Sequence, residues 1–247
     1  ILLEMGYKMC LILVLPSDAE SLRIRDNARQ TFDEIEDLKP ELGSIFILDN
    51  NAMDKLQINK IFATLITAVL CINNHSLDGN MDLAEIETCL HCPSFSIIVA
   101  TNAANGNTGN IVDILNRDNN IFAKREDKTI SIMGVSEAVS AKDSKIDVVE
   151  LRKAVGTAPT EYHGYLLESG ENVVILSGLM MPYKRMDALA ESVEKDAESV
   201  QNSMKALTQV RTAKTSSVFA VKTEIQPKPP VKEMTEFERL KARLISK

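Results

Sequence analysis

The chain has 247 residues, of which 45% are hydrophobic and 26% charged, proportions typical of a globular protein that can bury a substantial core. Aromatic residues make up only 4%, with no Trp, which argues against base stacking on aromatic side chains, and the longest apolar runs are too short to span a membrane. The net charge of −7 is uneven: residues 205–247 contain ten Lys or Arg and four Glu, a charge of +6, so the rest carries −13.

The amino-terminal residues predict a βαβ unit. The apolar run "MCLILVLP" (9–16) predicts a strand buried on both faces of a parallel sheet, and residues 17–38 predict a helix capped by Ser17 or Asp18. Residues 44–51, "SIFILDNN", predict a second buried strand with a polar end. Ligands of open α/β sheets gather at the carboxyl ends of such strands, which here read "PSDAES" and "DNNAMD".

The middle of the chain predicts a central helix and a second, smaller mixed α/β domain. Residues 58–72, "INKIFATLITAVLCI", are apolar nearly all round and predict a buried helix, and "LAEIETCL" predicts a short one with Asp82 near its start. The region "NAANGNTGNIVDILNRDNN" is rich in Asn and Gly, and its loop length is left open. The remaining predicted elements are strands at 95–101, 129–136, 161–168 and 172–179 and a helix at 148–155.

The carboxy-terminal part predicts a long exposed helix over residues 186–207 and a flexible, Pro-containing linker from about residue 211. Residues 235–245, "TEFERLKARLI", predict a short amphipathic helix that orders on a partner. The basic tail is either a solvated extension or a binding segment, for an adaptor protein or for nucleic acid directly. The predicted boundaries are 1–56, 57–93, 94–184, 185–210 and 211–247.

Four motifs in this order resemble the tubulin/FtsZ family of filament-forming GTPases: "PSDAES", "FILDNNAMD", "INKIF" and "GNMDLAEIE". The resemblance covers residue 1 to about 184. It implies that Glu20 lies in a ribose-binding loop, that Asn50 contacts the nucleotide with Asp49 beside it, and that Asn59 faces the guanine. From their sequence context alone, Asn50 and Asn59 would be turn and cap residues.

The segment "GNMDLAEIE" resembles the family's synergy loop, which projects onto the nucleotide of the next subunit. On that pattern Asn80, Asp82 and Glu85 are the candidate catalytic residues. Asp82 and Glu85 are spaced i and i+3, on one helix face, where they could orient an attacking water. The alternative is structural: Asp82 caps its helix, and Glu85 is a solvated first-turn acid favoured by the helix dipole.

Within the family the chain is most similar to the TubZ branch of plasmid and phage proteins, which carry an extended helix and a basic tail. Cell-division FtsZ has a Phe and an Arg where this chain has Ser17 and Ile24, so that either Arg23 or Arg25 could contact the nucleotide. The family's glycine-rich phosphate loop has no counterpart here. We therefore expect a carboxy-terminal portion of a GTPase that cannot alone hold GTP tightly.

The resemblance implies GTP and GDP as ligands, with Mg²⁺, and head-to-tail filaments in the bacterial cytoplasm that segregate plasmid or phage DNA through a DNA-bound adaptor. No membrane association is expected. The alternatives are a cell-division or phage-centring filament and a non-enzymatic scaffold or DNA-adaptor module. Cys89, His91 and Cys92, with His75 nearby, lack a second cluster that would complete a zinc site, so no metal centre is predicted.

Overall fold

The computed structural model describes residues 2–71, 83–102, 107–117, 120–126, 134–140, 144, 146–166 and 171–215. The chain divides into two compact units, Ile1–Val200 and Gln201–Lys247. The elements in chain order are β1 (Leu11–Leu15), α1 (Leu22–Leu38), a 3₁₀ turn (Lys39–Glu41), β2 (Ser44–Asp49), α2 (Lys55–Leu70), α3 (Leu83–His91), β3 (Ser94–Asn102), α4 (Thr108–Asn116), β4 (Val135–Ser140), α5 (Val148–Val155), β5 (Thr160–Tyr165), β6 (Glu171–Leu179) and α6 (Tyr183–Thr215).

The described strands form one six-stranded sheet in the order β1-β2-β3-β6-β4-β5. The β1–β2, β2–β3 and β4–β5 pairs are parallel, whereas β6 runs antiparallel to both β3 and β4. The β2–β3 pairing is short, over Ser44 and Ile45 only, and residues 121–123 take its place further along β2. The predicted mixed α/β class, with parallel strands first and a mixed set after them, is confirmed.

The prediction that the first strand is buried on both faces is wrong. β1 is an edge strand of the described sheet, and Ile12 and Val14 on one of its faces are 56% and 42% exposed. Their partners in register are Phe46 and Leu48, both buried. Burial therefore ends at the edge of the sheet, because no described element covers this face of β1.

The predicted central helix is present and packs on the core, but it is buried along one face and not all round. α2 buries a single stripe at i, i+4, i+7 and i+11 and leaves Leu56 and Leu70 largely exposed. Phe62 of that stripe packs on Phe46 with ring centroids 5.5 Å apart, and Phe122 closes the cluster. The buried residues of the stripe are Ile58, Phe62, Leu65 and Val69. Because Phe46 is the register partner of Ile12, α2 lies on the same face of the sheet as the exposed side chains of β1.

Several boundaries differ from the sequence-based predictions. α1 begins at Leu22 rather than near residue 17, because residues 17–20 form a turn in which Glu20 N donates to Ser17 O at 3.0 Å. The Asn/Gly-rich region contains α4, whose N-cap Asn107 accepts from Asn110 N at 2.8 Å. The long predicted helix extends over Tyr183–Thr215, and its Leu189 and Val193 are buried, not exposed.

Other predictions of this kind are met or lie outside the described residues. α5 has the predicted bounds, and β6 begins one residue earlier than predicted. β4 lies at Val135–Ser140, later than the predicted 129–136, most of which is outside the described ranges, as are residues 216–247 of the basic tail. Among the helices that can be described, none has the length and apolar character needed to cross a bilayer. The predicted domain boundaries stay predictions.

Candidate functional site

The loops that follow β1 and β2 meet at one edge of the sheet, as the parallel pairing requires. Glu20, from the first loop, accepts hydrogen bonds at its Oε1 from Asn50 Nδ2 at 3.2 Å and from Ser17 N at 3.3 Å. Lys55, the first residue of α2, lies with its Nζ 3.1 Å from the same oxygen. Two predicted site residues, Glu20 and Asn50, are thus in direct contact although they are thirty positions apart.

A second pair of residues ties these loops together. Asp18 N donates to Asn51 Oδ1 at 3.1 Å, and Asn51 Nδ2 donates back to Asp18 Oδ2, also at 3.1 Å. Asn50 N extends the β1–β2 ladder by donating to Leu15 O at 3.0 Å. Backbone and side chains therefore fix the two loops relative to each other.

The other two predicted nucleotide residues lie at the same edge. Asp49 ends β2 and is engaged within the chain, since its Oδ1 accepts from Asn51 N at 3.0 Å and its carboxylate pairs with Arg185 of α6. Asn59 is exposed on α2, one helical turn after Lys55 and on the same side of the helix. Glu20, Asp49, Asn50 and Asn59 are therefore grouped at the carboxyl ends of β1 and β2.

The helix that carries the predicted catalytic acid Glu85, α3, is anchored at the opposite edge of the sheet. Asn80 and Asp82 lie outside the described residues, and Glu85 is half-buried in the first turn of α3. The last turn of α3 is bonded to the amino end of β2, where Ser44 Oγ donates to Cys89 O at 2.9 Å. Because Cys89 is four residues from Glu85, the two lie about 6 Å apart along the helix axis.

The residues immediately before β1 and β2 are shaped to receive α3. A Cβ atom added at Gly43 would lie 2.4 Å from Leu90 O, so only glycine allows this approach, and Cys10 Sγ donates to the same carbonyl at 3.3 Å. A strand of six residues such as β2 is about 20 Å long. The anchor of α3 and the loops bearing Glu20 and Asn50 are therefore at opposite ends of one strand.

No family model matches the sequence, and no curated protein matches it either. Solved structures do match. TubZ of Clostridium botulinum phage c-st superposes with a TM-score of 0.66 at 22% identity, over 79% of this chain. The GDP-form protofilament of Bacillus thuringiensis serovar israelensis TubZ gives a TM-score of 0.62 at 17% identity, over 87% of this chain. The chain has a TubZ-like fold.

A more distant likeness extends this group: CetZ2 from Haloferax volcanii, in a GTPγS-bound protofilament, gives a TM-score of 0.51 at 16% identity over 76% of this chain. The chain spans 63%, 64% and 62% of the length of these three structures. The resemblance to the tubulin/FtsZ group and to its TubZ branch is confirmed at the level of the fold.

Within the TubZ-like fold, the two arginines that the sequence left open are placed differently. Arg25 is 6% exposed, and its guanidinium is bonded to Glu20 O, Ser192 and Asp196. Arg23 is exposed on α1. Arg23 is therefore the more accessible of the two arginines.

Sequence inspection missed three residues that build this edge: Lys55, Asn51 and Arg185. Asn51 adjoins Asn50, and Lys55 follows the N-cap Asp54, so their positions could have suggested a role in the loop. Arg185 lies 136 positions from Asp49, and no local pattern signals that pairing.

The pKa of Glu20 records the environment of the site. Burial alone would raise this pKa, but hydrogen bonds from Lys55, Asn50 and Ser17 outweigh burial and hold it below the ordinary value of 4.5. Because the folded-state pKa is lowered, the stability that Glu20 contributes is present above pH 4.5 and is lost as the pH falls through the folded-state pKa.

We expect Lys55→Ala to raise the pKa of Glu20, because the carboxylate keeps its burial and loses its nearest positive charge. Carboxyl ¹³C NMR titration of the parent and the variant measures this directly. Lys60→Ala, which removes another exposed lysine of α2, is the matched control and leaves the pKa unchanged. An unaltered Glu20 pKa in Lys55→Ala would show that the lysine does not set it.

Proposed function

We propose that this protein is a tubulin-like GTPase that assembles head to tail into filaments and hydrolyses GTP where two subunits meet. The observation that supports the proposal is that the two ends of β2 hold different parts of the candidate site. At its carboxyl end the loops with Glu20 and Asn50 are joined, and at its amino end the helix that begins beside the candidate acids is anchored. A head-to-tail contact would bring the acid end of one subunit to the loop end of the next.

The loop edge suits a nucleotide. Loops at the carboxyl ends of parallel strands are the usual ligand site of open α/β sheets. In our proposal Glu20 accepts from the ribose hydroxyls, the amides of Asn50 and Asn59 bind the guanine end, and Asp49 holds the turn that presents Asn50. Mg²⁺ would enter with the phosphates, because this ion keeps water and phosphate oxygens as most of its ligands and needs few carboxylates.

In the proposal, Asp82 and Glu85 supply the groups that hydrolyse GTP. Phosphoanhydride hydrolysis depends on a positioned water and on stabilised charge rather than on a covalent intermediate. Asp82 and Glu85, with Asn80 beside them, would orient that water and accept its proton. Because α3, whose first turn carries Glu85, is anchored at the end of β2 far from the loops with Glu20 and Asn50, turnover would require assembly, and filament growth would determine when GTP is hydrolysed.

The solved relatives support self-association in this form. One is described as a GDP-form protofilament, and others as two-stranded and four-stranded filaments. We extend the same assembly to this chain, in the bacterial cytoplasm, with segregation of plasmid or phage DNA as its role. The cargo would attach through a DNA-bound adaptor, or directly, at the basic residues 211–247, with residues 235–245 as the docking helix.

Right-angle light scattering of the full-length protein with GTP, with GDP and without nucleotide tests this proposal. We expect scattering to rise with GTP and to decay as GTP is consumed. Deleting residues 225–247 should leave this signal intact while abolishing co-sedimentation of the DNA-bound adaptor with the filaments. Absence of GTP-dependent scattering would favour a non-enzymatic scaffold, and loss of scattering on deletion would make the tail part of the subunit contact.

A further inference from the structure

Arg185, in the first turn of α6, reaches back to both loops of the candidate nucleotide site. Its Nε donates to Asp49 Oδ2 at 2.9 Å, and its Nη2 donates to Asp49 Oδ1 at 3.3 Å and to Pro16 O at 2.9 Å. The same Nη2 lies 3.7 Å from Asp18 Oδ1. The side chains of Arg185 and Asp49 are only 16% and 14% exposed, so little water screens the pair.

A second arginine completes the attachment of α6 to the first loop. Arg25 Nε donates to Glu20 O at 3.0 Å, while its Nη1 donates to Ser192 Oγ at 2.8 Å and its Nη2 pairs with Asp196. Ser192 and Asp196 both belong to α6. The loop over residues 16–20 is thus held at both ends. Arg185 donates to the carbonyl oxygen of Pro16, and Arg25, itself oriented by α6, donates to that of Glu20.

These contacts determine what the loops present. Between the two bonded carbonyls lies Ser17, whose N–H donates to the Glu20 carboxylate. Immediately after Asp49 comes Asn50, whose side-chain amide donates to the same carboxylate. A planar guanidinium with several donors suits a carboxylate and a carbonyl at once, whereas a lysine ammonium would act as a single point charge. We propose that Arg185 is a positioning residue for the candidate nucleotide site, and that α6 is thereby a structural part of that site.

This inference rests on the proposed function and adds a consequence to it. If docking of α6 favours the nucleotide-binding geometry of the loops, then bound nucleotide favours docking of α6 by the same factor, since coupling between two equilibria is reciprocal. Occupancy of the nucleotide site would therefore be communicated to the helix that leads into the carboxy-terminal tail. The hydrogen bonds and ion pairs of Arg185 among the described residues involve neither Glu85 nor α3.

The test compares Arg185→Ala and Arg185→Lys with Lys184→Ala in the full-length protein. Lys184 is the adjacent basic residue, and its side chain is exposed. Binding of a fluorescent GTP analogue and steady-state hydrolysis are measured for each. We expect both Arg185 variants to raise the dissociation constant and KM by about tenfold or more, because small displacements of a binding loop are costly. The kcat should stay within about threefold of the parent, because the acids are elsewhere.

Hydrogen exchange provides the readout that a purely stabilising role would not change. A non-hydrolysable GTP analogue should slow exchange of the amides over residues 184–190 in the parent and in Lys184→Ala, and not in Arg185→Ala. If Arg185→Ala does not fold, the nucleotide assays and the hydrogen exchange are measured on Arg185→Lys instead.

The outcomes separate the two proposals. If the parent protein binds GTP and the Arg185 variants bind it equally well, this inference is overturned and the proposed function is not. Equal losses of kcat and affinity, or protection of α6 by nucleotide in the absence of Arg185, also overturn it. A parent that does not bind GTP overturns the proposed function and this inference with it.

Discussion

Replacing Asp82 and Glu85 together with Ala is expected to reduce GTP turnover by the assembled full-length protein by about 100-fold or more. Filaments should still form and should persist longer, because nucleotide binding is left to the loops at the other end of the subunit and GTP remains bound. Phosphate release and pelleting of polymer at saturating GTP measure the two effects separately. The double variant therefore dissociates hydrolysis from assembly.

The control for this experiment lies on the same helix. Glu87→Ala removes an exposed acid of α3, two residues after Glu85, and should leave turnover within about twofold of the parent. If the double variant hydrolyses GTP at the parental rate, Asp82 and Glu85 are a helix cap and a solvated first-turn acid, as the structural alternative holds. Loss of polymer in the double variant would place the acids in the subunit contact without assigning them the chemistry.

Gly178→Ala is expected to destabilise the fold by about 3 kcal/mol or more, combining positive-φ strain with overpacking. Gly178 has φ +74° and lies in β6 where the β3–β6 register shifts by a residue, which is the position of a β-bulge. A Cβ there would come within 2.8 Å of both Gly134 Cα and Cys92 Sγ. The backbone at Gly134 cannot move without disturbing the start of β4.

The experiment is urea unfolding followed by circular dichroism, with Gly6→Ala as the matched control. Gly6 also has positive φ, at +83°, but nothing lies within 4 Å of its Cβ position. Gly6→Ala should therefore lower the free energy of unfolding only by the cost of the backbone strain, about 1 kcal/mol. Equal stability losses in the two variants would mean that the close contacts at Gly178 do not matter.

The elements that the sequence predicted well are those whose signal is local. Runs such as "SIFILDNN" predict β2 because a strand buried on both faces must be continuously apolar, and β2 has that burial. The pairing of Glu20 with Asn50 was predictable in outline, because parallel strands place both loops at one edge of the sheet. The motif order that resembles the tubulin/FtsZ family predicted the fold beyond what periodicity alone could give.

What the sequence did not predict depends on distant parts of the chain. Apolar residues on β1 and α2 indicated burial, yet Ile12 and Leu70 are exposed, because burial is decided by which elements cover a face and not by the residue itself. α4 was not predicted because its N-cap is one of many Asn residues in that region. The attachment of α6 through Arg185 is a long-range contact with no sequence periodicity.

The central claim is that the acids of one subunit act on the nucleotide of the next, and mixing two inactive variants tests it most directly. One variant carries Asp82→Ala and Glu85→Ala. The other carries Glu20→Ala and Asn50→Ala, and its entry into copolymer is verified by co-sedimentation. In an equimolar head-to-tail copolymer about a quarter of the contacts join an intact nucleotide site to intact acids, so the account predicts roughly a quarter of parental turnover. A copolymer no more active than the two variants assayed separately would contradict it.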